Sequence, residues 1–220
     1  MSYAAGPAKG PELPSNPLVL TAADAECSVT RAGRPVPDGY PAMVDELRVL
    51  LDRVAAAAPP QDLVGEITKL TAELNERLLS YEVPERDQLS GELIRLPGRA
   101  QLLTPVYTVD ELDDRSMVGR VQFGRHHVGS NRAVHGGAIP LVFDEVLGRL
   151  ALVGDRPRSR TAFLHVDYRA ITPVDEELRL EAWFEREEGR KRFVRGVIKH
   201  DDQVCAEANG LFVALRPGQP

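Results

Sequence analysis

Residues 134–148 read VHGGAIPLVFDEVLG, and the spacing of their apolar side chains decides the fold. These side chains recur three and four residues apart, which predicts an amphipathic helix. The apolar positions are Ile139, Val142, Phe143, Val146, Leu147 and Leu150. Leu141 lies on the opposite side of the helix, so only a narrow arc that contains Glu145 and Arg149 is expected to contact water. These two side chains can form an i,i+4 ion pair. The helix is therefore expected to be almost entirely buried.

The start of this helix carries two glycines and a proline. Pro140 in the first turn costs no hydrogen bond that the helix needs. Gly136 and Gly137 leave the backbone open to a ligand, and free N–H groups at a helix start favour a negatively charged oxygen. The pattern indicates an oxyanion site at these glycines.

Asp144 lies about two turns into the helix and outside its polar arc. A carboxylate in buried surroundings without a partner costs several kcal/mol, so a functional reason for it is expected. Asp144 is therefore a candidate general base or nucleophile.

The C-terminal part alternates apolar and polar residues. This pattern predicts strands over 101–109, 116–123, 160–171, 177–186, 191–200 and 203–215, with the helix after the second strand. The turn residues between the later strands favour antiparallel hairpins. The order ββαββββ indicates an α+β fold in which a curved antiparallel sheet surrounds one central helix.

The chain upstream of these strands has a different character. Residues 1–41 are rich in Pro, Gly and Ala and predict an extended or loosely ordered arm. The pattern over residues 42–95 predicts a helical extension with helices over 43–58 and 62–81. Residues 96–220 are expected to form the sheet domain. We interpret the extension as a packing element or a support for a dimer.

Composition excludes several classes of protein. The 220 residues carry a net charge of −6 and no long basic block, which argues against nucleic-acid binding. No apolar run approaches the roughly 20 residues of a membrane span, and the N-terminus lacks a secretory pattern, so a cytoplasmic location is expected. Neither cysteine belongs to a zinc-binding or redox spacing, and no dinucleotide or phosphate-binding motif occurs, so no cofactor is predicted.

The segment VHGGAIPLVFDEVLG resembles the helix signature of hotdog-fold acyl-CoA thioesterases, which include phenylacetate-pathway and thioesterase-superfamily members. The four strands that follow are similar to that family too, so the resemblance covers about residues 100–216. It implies a hotdog domain that works as a homodimer or a dimer of dimers. It also implies hydrolysis of acyl-CoA to a free acid and coenzyme A without a metal.

The resemblance also implies roles for particular residues. Asp144, nine residues after the motif histidine His135, would be the base or nucleophile. The Gly136 N–H would polarise the thioester carbonyl, and Thr161, which opens the strand after the helix, would assist. His135 either orients the loop or takes part in proton transfer. Many relatives carry an asparagine where this chain has Gly129, and Asn131 nearby is a candidate substrate contact.

A cluster of basic residues and a pair of histidines each have two possible interpretations. Arg190, Lys191 and Arg192 follow a turn; they form either a solvated hairpin end or a site for the phosphates of coenzyme A. His126 and His127 suggest a metal at first sight. Adjacent side chains on an extended segment point in opposite directions, so no joint metal site is predicted.

Two other functions remain open from the sequence. One is a hotdog hydratase or dehydratase acting on acyl thioesters, which would need a His and an acid beside C2 and C3 of the acyl chain. The other is a non-catalytic protein that binds acyl-CoA or a partner through the N-terminal helices.

Distance predicts that the Asp144 and the Gly136 that act on one thioester come from two different chains. At roughly 1.5 Å per residue, Asp144 lies about 12 Å from Gly136 along the same helix. The thioester carbonyl must lie about 3 Å from both Asp144 and the Gly136 N–H. The two residues of a single chain therefore cannot act on the same thioester. A two-fold dimer would bring Asp144 of one chain opposite Gly136 of the other.

Overall fold

The computed structural model describes residues 34–93, 96–154 and 156–219. The described helices are α1 (Tyr40–Ala56), α2 (Gln61–Leu79) and α3 (Ala138–Leu150). The described strands are β1 (Val106–Leu112), β2 (Ser116–Gln122), β3 (Val128–Ser130), β4 (Ala133–Val134), β5 (Ser159–Tyr168), β6 (Glu177–Glu188), β7 (Lys191–His200) and β8 (Gln203–Ala214). Residues 1–33 of the predicted arm lie outside the described residues, and α1 starts before the predicted end of that arm.

Six strands form one antiparallel sheet in the order β1-β2-β6-β7-β8-β5. The expected α+β arrangement of a helix against an antiparallel sheet is confirmed. The sequence pattern missed the short β3–β4 hairpin, because strands of two and three residues are too short to show alternation. β1 begins at Val106 rather than at residue 101. Pro105, which cannot donate to a ladder, directly precedes it.

Helix α3 packs against β5, β6, β7 and β8, and its apolar side chains lie in the centre of the core. Val142, Phe143, Val146 and Leu147 have no measurable exposure. Gly196 on β7 permits this close approach, because a Cβ there would lie 3.1 Å from Leu147 Cδ2. The sheet thus fixes one face of α3 and directs the other face outward.

The two N-terminal helices confirm the helical extension but attach to the sheet domain unequally. α1 ends at Ala56, two residues earlier than predicted, because Ala57 is extended ahead of the two prolines. Val44 and Arg48 of α1 are buried, whereas no residue of α2 is buried. The domain boundaries at residues 41 and 95 stay predictions.

A histidine pair joins α1 to the turn that leads into β3. His126 Nδ1 lies 2.5 Å from Asp52 Oδ1, and the His126 N–H donates to the same oxygen at 3.1 Å. The expectation that His126 and His127 point apart is wrong. Arg125–His127 is a 3-10 turn rather than an extended segment, and the two rings lie 3.8 Å apart. Burial, followed by the neighbouring His126, lowers the pKa of His127 to about 4.

Within the described part of the chain, no three or more His, Cys, Asp or Glu side chains are grouped as metal ligands. None of the described helices combines the length and the apolar character needed to cross a membrane.

Candidate active site

Asp144 and Thr161 are brought together by the packing of α3 against β5. The Thr161 hydroxyl donates a hydrogen bond to Asp144 Oδ1 at 2.8 Å. The expectation that Asp144 is buried is wrong for the single chain, because both residues are exposed. β5 is the last strand of the sheet, so this side of α3 faces solvent rather than another strand. The carboxylate is accessible to a ligand.

The neighbouring carboxylate, Glu145, is held differently. Its side chain is 13% exposed, and its oxygens lie 2.7 and 2.8 Å from Nε and Nη2 of Arg99. The Tyr107 hydroxyl donates to Glu145 at 3.1 Å, and burial followed by the Glu145 charge raises the pKa of Tyr107. The predicted partner Arg149 is therefore wrong: it lies 3.5 Å from the Tyr107 hydroxyl instead. Glu145 is committed to structural contacts, whereas Asp144 is exposed and has the Thr161 hydroxyl as its one hydrogen-bond partner within residues 34–93, 96–154 and 156–219.

The loop before α3 holds the glycines in an exposed position. The Gly137 N–H donates to His135 Nδ1 at 3.0 Å, and the His135 N–H donates to the carbonyl of His127 at 2.7 Å. His135 thus fixes the loop, and its Nδ1 acts as an acceptor. Because Gly137 uses its N–H in this bond, Gly136 is the better placed of the two glycines to donate to a ligand.

Tyr168 is a site residue that the sequence did not single out. Its hydroxyl donates to the Gly136 carbonyl at 2.6 Å, so the last residue of β5 anchors the glycine loop. The alternating pattern placed Tyr168 on the same face as Leu164 and Val166. The pattern could not show that the Tyr168 side chain extends out of the core, so that the residue is 54% exposed.

Asn131 lies at the tip of the β3–β4 hairpin. Its φ is 49° and that of Arg132 is 60°, so both residues are left-handed, as a tight two-residue hairpin turn requires. Asparagine tolerates this conformation better than most residues. The turn accounts for the residue type, and a contact between Asn131 and substrate stays a prediction. Gly129 is also explained locally, because a Cβ there would lie 3.0 Å from His135 Cα.

The basic cluster after β6 does not act as one surface. Arg190 and Lys191 are exposed, although Arg190 also donates to the Ala214 carbonyl at 2.8 Å. Arg192 is only 5% exposed and donates to the carbonyls of Ala151 and Pro157 at 2.6 and 2.9 Å. The prediction that Arg192 contacts substrate is therefore wrong, because it caps the end of α3 from within the core. Burial also lowers its pKa.

We expect Arg192→Gln to lower the free energy of unfolding by about 2 kcal/mol, because two buried carbonyls lose a charged donor. For a chain of this size that corresponds to a fall in Tm of roughly 4–8 °C. Lys191→Gln, one residue away and exposed, is the matched control and should leave Tm unchanged. Thermal unfolding followed by circular dichroism checks both. Equal Tm values for the two variants would contradict the capping role.

Comparison with known proteins finds a family match that includes the α3 region. Residues 131–207 match the family model of the thioesterase superfamily. The chain is 31% identical over 109 residues to the acyl-coenzyme A thioesterases THEM4 of Mus musculus and of Rattus norvegicus. Those matches cover 49% of this chain and 46% of each relative, so the chain spans about half the length of these curated relatives.

A solved structure extends the likeness beyond the matched segment. The crystal structure of protein RHA08564, a thioesterase superfamily protein, superimposes with a TM-score of 0.69 and 26% identity. The superposition covers 81% of this chain and 97% of that protein. With the sheet, the central helix and the HGG loop in place, the chain has the hotdog fold, and residues 131–207 are similar to the thioesterase superfamily.

Proposed function

We propose that this protein is an acyl-CoA thioesterase, which hydrolyses acyl-CoA to a free acid and coenzyme A. The observation that carries the proposal is the hydrogen bond between Thr161 and the exposed Asp144 carboxylate, in a domain that is similar to the thioesterase superfamily. The curated relatives named above are acyl-coenzyme A thioesterases, which supports the choice of substrate.

The proposed chemistry uses three groups. Asp144 removes a proton from water that attacks the thioester carbon, or attacks that carbon directly. Thr161 holds the carboxylate and helps to position the water. The Gly136 N–H stabilises the negative charge that develops on the carbonyl oxygen. The carbon–sulfur bond then breaks, and coenzyme A leaves as the thiolate. After direct attack the acyl group remains on Asp144 as an anhydride, which water hydrolyses to the free acid and the Asp144 carboxylate. No cofactor is needed for these steps.

We propose further that each active site is shared by two chains. α3 begins at Ala138, so Gly136 and Asp144 of one chain lie about 12 Å apart at 1.5 Å per residue. A second chain, related by a two-fold axis, would place its Asp144 beside the first chain's Gly136.

The outer edge of β5, which pairs with no other strand among the described residues, supports this dimer. β5 has ten residues and no proline, and it exposes Phe163 and Tyr168 by 48% and 54%. Proteins normally protect long edge strands against pairing. The opposite edge, β1, carries Asp110 and Glu111 at a bulge, which are features that disfavour pairing. Pairing of β5 with a second copy would cover the apolar edge next to Asp144 and Thr161.

The test is a hydrolysis screen with short, long and aromatic acyl-CoA substrates and detection of the released thiol. We expect thiol release that exceeds both the uncatalysed rate and the rate of Asp144→Asn. Hydration of an enoyl-CoA, followed by the loss of its absorbance, is measured in parallel. Hydration without thiol release would indicate the hydratase, and binding of acyl-CoA with neither reaction would indicate a binding protein; either result would overturn the proposal.

A further inference from the structure

A cavity of about 420 Å³ lies beside Asp144 within the single chain. One wall is formed by Leu141, Asp144 and Glu145 of α3, and the other by residues of the segment 90–104 that precedes β1. That segment lies outside the residues that match the family model, which begin at 131. The second wall is therefore supplied by a part of the chain that precedes the residues matched by the family model.

The wall contains a turn with an unusual backbone. Gly98, Arg99 and Ala100 have φ values of 56°, 53° and 60°, so three consecutive residues are left-handed. For a residue other than glycine this conformation costs about 1–3 kcal/mol and persists only where the surroundings enforce it. Such strain is concentrated at functional sites.

Arg48 of α1 enforces the turn. Its side chain is almost completely buried, and Nη2 donates to the carbonyls of Pro97 and Gln101 at 2.8 and 3.0 Å, on either side of the left-handed residues. Ala100 packs in a small core with residues of α1 and of the segment. The N-terminal extension thus builds and holds this wall.

Arg99 connects the same turn to α3 through its ion pair with Glu145, the residue next to Asp144. The position of the wall relative to the reactive carboxylate is therefore fixed by a partly buried, two-point contact. A ligand whose reacting carbon lies at Asp144 would have its nearest substituent in this cavity.

The cavity wall combines apolar surface with hydrogen-bond donors. Leu102, Leu103 and Leu141 supply the apolar part. Gln101 Oε1 accepts a hydrogen bond from the Thr104 hydroxyl at 2.8 Å. This bond assigns the oxygen of the amide to Thr104 and leaves the amide N–H groups as donors. Ser90 lies in the same lining.

We propose that this cavity binds the acyl group of the substrate and selects short acyl groups that carry an oxygen substituent, with Gln101 as the residue that determines this specificity. The inference rests on the proposed thioesterase function. The volume is near the lower end of the roughly 300–1,000 Å³ of ligand pockets, which disfavours long chains. An oxygen on the acyl group can accept a hydrogen bond from the partly buried Gln101 amide, which a plain alkyl chain cannot do.

The experiment compares kcat/KM for hexanoyl-CoA, ω-hydroxyhexanoyl-CoA, adipoyl-CoA and dodecanoyl-CoA in the full chain. We expect the wild type to prefer the oxygen-bearing six-carbon groups by about tenfold, the scale of one hydrogen bond. Gln101→Met keeps the length of the side chain and removes the amide, and it should abolish this preference, so that the ratio of kcat/KM for the oxygen-bearing and plain six-carbon groups falls to about one. Gln203→Met, an exposed glutamine at the start of β8, is the matched control and should keep the preference.

Coenzyme A itself carries amides, so the pantetheine arm is the competing occupant of the cavity. N-acetylcysteamine thioesters of the same acids keep the acyl group and remove most of coenzyme A. The preference and its loss in Gln101→Met should persist with these esters. An effect that appears only with the coenzyme A esters would overturn the proposal in favour of the pantetheine arm, as would equal rates on plain and oxygen-bearing acyl groups.

A binding measurement separates this inference from the proposed function. Isothermal titration of Asp144→Asn with hexanoyl-CoA and ω-hydroxyhexanoyl-CoA gives the ratio of the two Kd values, with and without Gln101→Met. Absence of hydrolysis in the wild type would refute the thioesterase proposal, yet this ratio would still decide the acyl specificity of the cavity. A ratio near one in the presence of Gln101 would overturn it.

Discussion

Replacing Asp144 by asparagine is expected to lower the turnover of acyl-CoA at least about a hundredfold, the scale for loss of a positioned base. Asparagine keeps an oxygen for the Thr161 hydroxyl and removes only the ability to take a proton or to attack the thioester. Because Asp144 is exposed, Tm should change little. Steady-state thiol release measures the first effect, and thermal unfolding measures the second.

Asp201→Asn is a suitable control for the loss of one negative charge. Asp201 lies in the β7–β8 turn with a φ of 51°, a conformation that asparagine tolerates well, so activity and Tm should both be retained. Near-normal turnover in Asp144→Asn would remove Asp144 from the mechanism. A hundredfold loss in both variants would point to an effect of charge rather than of a catalytic group.

Mixing two inactive variants is expected to restore activity. In a dimer of Asp144→Ala and Gly136→Pro, one site combines both defects, and the other contains wild-type Asp144 and wild-type Gly136. Random exchange at equal amounts makes half of the dimers hybrid, each with one intact site, so about a quarter of wild-type activity should return. Thiol release before and after subunit exchange measures the recovery.

Two further variants make this experiment decisive. Gly136→Ala keeps the N–H, and its added Cβ would lie 3.7 Å from the Tyr168 hydroxyl, an ordinary contact; it should remain folded and retain more activity than Gly136→Pro. Hybrids are verified by tagging one variant. Verified hybrids that stay as inactive as their parents, although both variants fold, would show that the two groups do not meet across a dimer.

The fold was predictable because its signals are local and repeated. Helix α3 is recognisable from apolar residues at 139, 142, 143, 146 and 147, and the long strands β6, β7 and β8 alternate over eight residues or more. The polar contacts of the site were less predictable. Asp144 was expected to be buried because helical periodicity gives the face of a residue but not whether a strand covers that face.

Residues far apart in sequence account for the other errors. Glu145 pairs with Arg99, 46 positions upstream, although Arg149 has the spacing of an ion pair within one helix. Arg192 reaches across the sheet domain to the carbonyl of Ala151, although its neighbours suggest a solvated turn. Local spacing predicts which contacts a helix or hairpin allows, and tertiary packing decides which of them form.

The position of β5 at the end of the sheet has a consequence for the order in which the site is made. β5 pairs with β8, not with the strands that follow it directly in the chain. Synthesis at roughly 5–20 residues per second needs about 3–10 s to proceed from Thr161 to Ala214. Until β8 has been synthesised, β5 lacks the strand that holds Thr161 against Asp144. The contact between Thr161 and Asp144 can thus be completed only after β8, which follows both residues in the chain, has been synthesised.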